Sequence, residues 1–388
     1  MDEQTKICLQ TVDGSPKVVL LVKRNFLNEG GSPCFSGGKK VFQSLVKTCS
    51  DLKYEVVVLT QATTAQILYQ MSVSGDSPSG IPIKISEDVI QFSLSQYKLC
   101  VNVVRDENCT REIRDIELNT AHGIVFAQFQ PIMTFFDADD CYKDLNSSGT
   151  CLLQNSVATE RLFVVVQNIH FLPFGPAGCS SRCPFATEPW SRVFSFVCVS
   201  EFVANYVMHW AEEVCETKPL IKHLPLCATG VFGTGDFPDY GEMICSRGFG
   251  SQPEDELHPV VVQPKLSDVK GETIFFGLAK ELPHVRFVGV VGGRRERFPP
   301  GNVALRSPGD LDEVLEGAWV VLCPSLWQEA FGMAVVDCML RGLPVLASDV
   351  GGHAEAALGA AALLPVRPIR LPAPPAGGDG GPRWAQRE

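Results

Sequence analysis

Continuous apolar runs and helically spaced apolar residues alternate near the start of the chain. Residues 17–22 form an apolar run that predicts a parallel strand buried on both faces, and residues 54–59 predict a second strand. A Gly-rich loop that ends in Gly37 and Gly38 follows the first strand. A helix is predicted next, because four apolar residues share one helical face: Val41, Phe42, Leu45 and Val46. The pattern therefore predicts a β–loop–α–β unit at the start of a domain.

The pattern is irregular over residues 75–153 and becomes clear again at two further strands. Residues 162–166 predict a strand that leads to His170, and residues 193–199 predict another. Ser200 follows the second strand and is a suitable helix N-cap. A helix is predicted after it from apolar residues that share one face: Phe202, Val203, Tyr206, Val207 and Trp210.

Strands and helices alternate most regularly after a candidate linker at residues 248–259. The predicted strands are residues 260–262, 285–291, 302–305, 319–323 and 343–347. The predicted helices are residues 270–282, with Phe275, Leu278 and Leu282 facing inward, 311–318 and 330–341. This alternation is typical of a doubly wound parallel α/β sheet. Residues 1–247 and 260–365 are thus expected to form two Rossmann-like domains that face a cleft. The Pro/Gly-rich residues 366–388 are expected to be a disordered tail.

Length and composition fit such a two-domain protein. The chain has 388 residues, of which 45% are hydrophobic and 20% charged. The formal net charge of −11 argues against a nucleic-acid-binding protein. No apolar run is long enough to span a membrane, and the N-terminus lacks a secretory pattern, so a cytoplasmic location is expected. The 15 cysteines are then expected to be reduced, with Cys179, Cys183 and Cys198 as a candidate metal site that lacks a second ligand pair.

Residues 324–337 carry the most informative group of polar side chains. A buried strand ends just before this segment, and ligands of open α/β sheets bind beyond the carboxyl ends of the strands. The predicted helix that begins near Ala330 would present free N–H groups to a phosphate, and Gly332 would let a ligand approach the backbone closely. Glu329 and Asp337 lie about two helical turns apart, which predicts one carboxylate at the mouth of the helix and the other deeper. Paired acceptors of this kind suit sugar hydroxyls.

This segment resembles the E-x7-E signature of the retaining glycosyltransferases of family 4, the glycosyl transferases group 1, which have the GT-B fold. The residues that carry the resemblance are Pro324, Ser325, Glu329, Phe331, Gly332, Asp337, Met339, Gly342, Pro344 and Val345, with Gly351, Gly352 and Glu355 downstream. One departure is Asp337, where the family typically has the longer Glu. The resemblance implies transfer of a sugar from a nucleotide-sugar donor to an acceptor hydroxyl with retention of the anomeric configuration.

The resemblance also implies which groups bind the donor diphosphate. Lys270 belongs to a Lys-Gly pair that resembles the basic clamp of the family. The family Arg is replaced by Pro264, and Lys265 is expected to compensate for it. The backbone amides that follow Glu329 would stabilise the leaving diphosphate: those of Ala330, Phe331, Gly332 and Met333.

The remaining candidate residues are expected to bind the sugar and the nucleoside. By resemblance, Glu329 binds donor-sugar hydroxyls, Asp337 binds the ribose and His170 orients the sugar. Gly37 and Gly38 belong to the loop that faces donor and acceptor. The resemblance implies no metal, no cofactor and no covalent nucleophile, and the nucleotide sugar acts as a co-substrate. The acceptor is left open between a glycan and a small molecule.

Other functions stay open. A degenerate GT-B module that binds nucleotide sugar or glycan without transfer is favoured by Asp337, by the absent Arg and by the C-terminal tail. That tail stands where the family has further helices, and their loss is expected to loosen domain closure and impair activity. A GT-B sugar phosphorylase would use inorganic phosphate instead of a nucleotide. Asp137 and Asp139 form a D-x-D pair of the kind that holds a divalent metal in the other large glycosyltransferase fold.

Overall fold

The computed structural model describes residues 5–8, 18–22, 37–73, 83–84, 89–94, 96–104, 116–119, 124–128, 162–170, 195–214, 220–223, 237–247, 259–292 and 299–366. The predicted linker lies outside these residues except for Pro259, and so do residues 367–388 of the tail. Asp137, Asp139, Cys179 and Cys183 also lie outside them. The domain boundary and both metal-binding alternatives therefore stay predictions.

A large and mostly parallel sheet is built from the N-terminal part of the chain. The strands are β1 (Thr5–Cys8), β2 (Val18–Val22), β3 (Glu55–Thr63), β4 (Ile83–Lys84), β5 (Val89–Ser93), β6 (Lys98–Val104), β7 (Ile116–Asn119), β8 (Ile124–Gln128), β9 (Leu162–Val166), β10 (Ser195–Cys198) and β11 (Leu220–His223). Within the described ranges, nine of them pair in the order β11-β10-β9-β8-β2-β3-β6-β5-β4. The β4–β5 and β5–β6 pairs are antiparallel and the other pairs are parallel. Strands β1 and β7 form a separate parallel pair.

The helices of this part of the chain are α1 (Gly37–Asp51), α2 (Thr64–Val73), α3 (Glu201–Val214) and α4 (Tyr240–Arg247). Helices α1, α2 and α3 pack on the sheet, and α1 and α3 do so with the apolar faces that the sequence predicts, whereas α2 and α4 were not predicted. The predicted β–loop–α–β unit is β2, α1 and β3, and Phe42 of α1 is fully buried. All three of Val164, Val165 and Val166 are buried, so both faces of β9 are covered, as expected of a parallel strand. Ser200 caps α3, because its Oγ accepts a hydrogen bond from the Val203 N–H at 3.1 Å.

The C-terminal part of the chain forms a second sheet with a Rossmann strand order. Its strands are β12 (Val260–Leu266), β13 (Arg286–Val291), β14 (Val303–Arg306), β15 (Ala318–Cys323), β16 (Val345–Ser348) and β17 (Ala362–Leu364). They pair in parallel in the order β14-β13-β12-β15-β16-β17. The chain order reverses between β12 and β15, and this switch point is where open α/β sheets bind their ligands.

The helices of this second unit begin and end differently from the prediction. They are α5 (Glu272–Glu281), α6 (Leu311–Leu315), α7 (Met333–Met339) and α8 (His353–Ala357). A 3₁₀ turn at Asp268–Lys270 and the left-handed Gly271, with φ of 79°, precede α5 and delay its start. Leu278 and Leu282 were predicted to face inward, but each is 37% exposed. The buried residues of α5 are Phe275 and Ala279. They are four positions apart and therefore lie on one line along the helix, whereas Leu278 lies to the side of that line.

Helix α7 is shorter than the predicted 330–341. Gly332 has φ of 107°, in the left-handed region, so the helix begins only at Met333. Glu329 therefore lies in the β15–α7 loop and not at the mouth of the helix, which corrects the prediction, while Asp337 is in the helix as expected. Helix α4 also contacts this unit, since the Tyr240 hydroxyl donates to the Asp312 carbonyl oxygen at 3.0 Å.

Candidate functional site

The carboxyl ends of strands from both sheets meet in one cleft. Lys270 follows β12 and Glu329 follows β15, so the two flank the switch point of the C-terminal sheet. From the N-terminal sheet, His170 follows β9 and Ser200 follows β10, and both contact the β15–α7 loop. The fold thus brings together side chains that are far apart in sequence.

An ion pair with a hydrogen-bonded serine lies at the switch point. Lys270 Nζ and Ser325 Oγ both donate to Glu329 Oε1. The side chains of Lys270 and Glu329 are 19% and 13% exposed. Burial alone would raise the pKa of Glu329, but the charge of Lys270 and the two hydrogen bonds hold that pKa below its ordinary value. Glu329 is therefore an ionised acceptor at neutral pH.

Backbone constraints place Lys270 beside the β15–α7 loop. A Cβ atom on Gly271 would lie 2.1 Å from the Pro324 carbonyl oxygen, and the φ of 79° is also left-handed, so the Lys-Gly pair requires its glycine. The Leu326 N–H donates to the Val269 carbonyl at 2.9 Å and joins the loop to the 3₁₀ turn.

Gln263 links that turn to an irregularity in β12. The ladder between β12 and β13 shifts register between Gln263 and Leu266, where Pro264 lacks an N–H to donate. Gln263 is buried, and its Nε2 donates to the carbonyls of Lys265 (3.0 Å) and Lys270 (2.7 Å). Burial lowers the pKa of Lys270, and the charge of the exposed Lys265 acts in the same direction. Whether Lys265 compensates for the missing Arg stays a prediction.

Three consecutive carbonyl oxygens of the β15–α7 loop are held by groups from both sheets. His170 Nε2 contacts the Gln328 oxygen at 2.7 Å, and Ser200 Oγ donates to the Ala330 oxygen. The Glu329 oxygen accepts from the Gly352 N–H at 2.7 Å. Cβ atoms on Gly351 and Gly352 would approach this loop to 2.2 and 2.4 Å, which explains the glycine pair. The loop that carries Glu329 is therefore fixed before any ligand binds.

His170, Trp327 and Lys270 form a stack across the cleft. The His170 and Trp327 rings are parallel within 13°, with centroids 4.2 Å apart, and Lys270 Nζ lies 4.7 Å from the Trp327 ring centroid. A carbonyl oxygen only accepts, so the proton of neutral His170 is on Nε2. Burial lowers the pKa of His170 and favours this neutral form, and Lys270 acts in the same direction.

Asp337 is paired across the cleft. Lys40, in the first turn of α1, donates from Nζ to Asp337 Oδ2 at 2.8 Å, and the two side chains are 25% and 10% exposed. Arg341 Nη1 is 4.0 Å from Asp337 Oδ1. Gly37 lies against Met333, the first residue of the helix that carries Asp337, because a Cβ on Gly37 would lie 2.7 Å from Met333 Sδ. The predicted residues Gly37, Met333 and Asp337 thus meet at one place.

The other predicted residues contribute mainly backbone. The Gly38 carbonyl accepts from Gln167 Nε2 at 2.9 Å. Phe331 is a buried core residue next to Ala330. A Cβ on Gly332 would lie 2.4 Å from His353 Cδ2, so this glycine lets the loop pass against the His353 ring.

Several residues at this site were missed by the sequence analysis. His353 is buried, its Nδ1–H donates to the Ser348 carbonyl at 2.8 Å, and burial lowers its pKa. Lys40 and Trp327 were also missed. A lysine in the first turn of a helix is electrostatically unfavourable, so Lys40 was detectable as an exception, whereas nothing in the sequence indicates that Trp327 meets His170.

Comparisons with known proteins agree with this architecture. Residues 302–360 match the family model described as Glycosyl transferases group 1. The catalytic domain of starch synthase IV from Arabidopsis thaliana, bound to ADP and acarbose, is 11% identical with a TM-score of 0.51, covering 88% of this chain and 84% of that one. The pneumococcal O-GlcNAc transferase GtfA, in complex with UDP and GlcNAc, is 11% identical with a TM-score of 0.50, covering 87% and 85%. No curated protein sequence matches significantly. The chain has the GT-B fold and carries a glycosyl transferases group 1 segment.

The group 1 segment confirms the resemblance inferred from residues 324–355. It contains Glu329, Asp337 and His353, whereas Lys270, His170 and Lys40 reach it from outside the matched range. Half of the candidate site is therefore supplied by parts of the GT-B fold that the family model does not cover.

Two further findings concern only the part of the chain that the structure describes. In that part, no group of three or more His, Cys, Asp or Glu side chains is arranged to hold a metal ion. None of the helices described is both long and apolar enough to cross a membrane. Cys198 is a buried free thiol.

Proposed function

We propose that the chain is a retaining glycosyltransferase that transfers a sugar from a nucleotide-sugar donor to an acceptor hydroxyl. The observation that carries the proposal is the Lys270–Glu329 pair at the switch point between β12 and β15. A buried cation beside an ionised acceptor matches what a sugar diphosphate needs. The two similar structures were bound to ADP and to UDP, which agrees with a nucleoside diphosphate at this place.

In this proposal each member of the ion pair exchanges its partner for a part of the donor. Lys270 would leave Glu329 and stabilise the negative charge that develops on the leaving diphosphate, together with the backbone N–H groups of residues 330–333. Glu329 would then accept hydrogen bonds from donor-sugar hydroxyls, and Ser325 would keep its carboxylate oriented. Because backbone contacts of the loop position Glu329, only the partner of each charged group has to change when the donor binds.

The N-terminal sheet would supply the other wall of the site. His170 is held by the Gln328 carbonyl and would orient the sugar through its free ring nitrogen. Asp337 would receive ribose hydroxyls after it exchanges Lys40. The acceptor would enter past the loop that ends at Gly37 and Gly38.

A direct test is a panel of UDP-, ADP- and GDP-sugars assayed for turnover and for thermal stabilisation. We expect turnover of one donor, its loss in Glu329→Gln, and no effect of a chelator. Glu281→Gln, an exposed carboxylate at the end of α5, is the matched control and should keep full activity.

Folding has to be separated from chemistry in this test. Glu329→Gln leaves Lys270 without its charge partner, at a cost of about 3 kcal/mol. The double variant Lys270→Met/Glu329→Gln removes both charges and should recover part of the melting temperature without recovering turnover. Turnover that needs a divalent metal and survives Glu329→Gln would contradict the proposed site and point to Asp137 and Asp139.

A second candidate is a non-catalytic module that binds nucleotide sugar. The Lys40–Asp337 pair favours it, because a ribose on Asp337 must first displace a part-buried cation. Thermal stabilisation by one nucleotide sugar, without hydrolysis or transfer to any offered sugar, would support this candidate.

A further inference from the structure

Two stacked rings in the cleft carry buried polar atoms without partners. Among the described residues, four buried side-chain atoms lack a hydrogen bond, and two of them are His170 Nδ1 and Trp327 Nε1. The rings that carry them are parallel within 13° at 4.2 Å. Buried polar atoms are nearly always paired, so two orphans on adjacent rings need a cause.

The two orphan atoms have opposite hydrogen-bonding character. Nε2 of His170 faces the Gln328 carbonyl at 2.7 Å and therefore carries the ring proton, so Nδ1 presents a lone pair. The indole Nε1–H of Trp327 can only donate. The stack thus offers one acceptor and one donor, which is what a hydroxyl-bearing ligand can satisfy, since a hydroxyl both donates and accepts.

The direction of the indole N–H is fixed by its neighbours. Trp327 is packed against His170, and Lys270 Nζ lies over its ring at 4.7 Å. His170 itself is held through Nε2, and its backbone N–H donates to Asn168 Oδ1 at 2.6 Å. A donor held this rigidly discriminates between ligands, because it cannot turn to another partner when the expected oxygen is missing.

A further acceptor lies at the same strand end. Gln167 Nε2 donates to the Gly38 carbonyl at 2.9 Å, which fixes the amide, and its Oε1 is also buried without a partner. His170 and Gln167 both follow β9, so a second unpaired acceptor lies on the same segment of the chain as His170. The unpaired acceptors of His170 and Gln167 would repel a carboxylate or a phosphate. A ligand with several hydroxyl groups suits these acceptors and the Trp327 donor better.

We propose that Trp327 is a specificity-determining residue of this site, whose indole N–H reads one hydroxyl of the transferred sugar beside His170. The inference rests on the proposed function and adds to it a residue outside the E-x7-E pattern. A hydroxyl at that position of the sugar can accept from the Trp327 N–H and donate to His170 Nδ1. A hydrogen atom in its place leaves both groups unpaired, and a fluorine atom cannot donate to His170.

The test uses deoxy and deoxyfluoro analogues of the donor sugar that the protein accepts. At one position, we expect wild-type protein to lose about tenfold or more in affinity or kcat/KM with the deoxy analogue. Trp327→Phe keeps an aromatic ring against His170 but lacks the N–H, so it should discriminate between hydroxyl and deoxy donors several-fold less than wild type, and the discrimination that remains is the share of His170 Nδ1. Trp319→Phe, in β15, is the control and should discriminate like wild type.

A spectroscopic arm reports the contact directly. The chain has 5 tryptophans and therefore 5 indole N–H resonances after ¹⁵N labelling, and the one missing in Trp327→Phe is assigned to Trp327. The hydroxyl donor should shift this resonance and the deoxy analogue should not. This arm works whether the protein catalyses transfer or only binds.

The outcomes separate the two levels of the argument. Equal affinity of wild-type protein for all deoxy analogues would overturn the role of Trp327 and leave the proposed function intact, and this result does not depend on how the variant folds. A resonance that stays in place with a saturating donor would do the same. No binding of any nucleotide sugar would overturn both.

Discussion

At the scale of single residues, the glycine after Lys270 is the sharpest test of how the site is built. Gly271→Ala would place a methyl group 2.1 Å from the Pro324 oxygen at a left-handed φ of 79°. We expect a loss of about 2–3 kcal/mol in the free energy of unfolding and weaker donor binding, because Lys270 must shift with its neighbour. Urea denaturation and donor titration measure both quantities.

Gly277 provides the matched control for that substitution. It lies in α5, and a Cβ on it would meet nothing within 4 Å. Gly277→Ala should therefore stabilise the protein by about 0.5–1 kcal/mol and leave donor binding unchanged. If both variants behaved alike, the close approach of Gly271 to Pro324 would be wrong.

His170 and His353 give the site a dependence on pH. Burial lowers both pKa values in the folded protein, whereas the unfolded chain titrates near about 6.5. Below that pH the unfolded state binds more protons, so the free energy of unfolding falls as the pH falls. The pKa of Glu329 is also lowered, so its contribution is lost at lower pH still, below about 4.3. Melting temperatures should thus decrease first from about pH 6.5 downward, and His353→Gln should flatten this first decrease.

The resemblance and the positions after strands single out the two carboxylates, Lys270 and His170 as candidates, but not the side chains that these residues contact. Glu329 and Asp337 were found because their spacing follows a known pattern, and His170 because it follows a strand. Lys40 lies in another element and nothing in the sequence marks Trp327, so only the fold brings these two residues to the site, whereas Ser325 belongs to the same pattern as Glu329 and only its hydrogen bond was not predicted. A site assembled across two sheets cannot be derived from spacing along one chain.

At the scale of elements, the buried parallel strands that the pattern predicts lie close to their predicted positions, whereas strands β4–β8, in the irregular region, were not predicted and the starts of two helices were misplaced. Parallel strands such as β9 and β15 are apolar throughout and lie between turns, so the pattern marks them clearly. The starts of α5 and α7 were misplaced because Gly271 and Gly332 adopt left-handed φ angles that delay the helix, and helical periodicity does not reveal this. That error moved Glu329 from the mouth of the helix to a loop held by backbone contacts.

The N-terminus of α3 joins the two sheets and can be tested as an element. Ser200 Oγ accepts from the Val203 N–H and donates to the Ala330 carbonyl, while Glu355 Oε2 accepts from the Glu201 N–H at 2.7 Å. Ser200→Ala should cost about 1–2 kcal/mol of unfolding free energy, because it removes the cap and a contact to the loop of Glu329. Glu355→Gln keeps an acceptor and should cost less than Glu355→Ala. Equal losses in both Glu355 variants would contradict the cap.

At the scale of the whole molecule, the contacts that cross the cleft determine how far it is closed without ligand. The predicted GT-B architecture is confirmed by the two solved structures, but pattern analysis does not reveal the state of the cleft. The polar contacts that cross it include Lys40 with Asp337, His170 with the Gln328 oxygen, Ser200 with the Ala330 oxygen, and the Glu201 N–H with Glu355. The first is a charge pair, so it is the one that responds to salt.

Removal of that charge pair should open the cleft. Lys40→Met keeps the length of the side chain but not its charge, so we expect a broader distance distribution in small-angle X-ray scattering, resembling wild-type protein at high salt. High salt should have little further effect on the variant, because the pair that salt screens is gone. In a double-mutant cycle with Asp337→Asn, the coupling free energy should be about 1 kcal/mol.

Lys47→Met, exposed on the same helix α1, is the control and should scatter like wild type. Scattering from Lys40→Met that matched wild type at both salt concentrations would mean that the remaining contacts close the cleft without this charge pair.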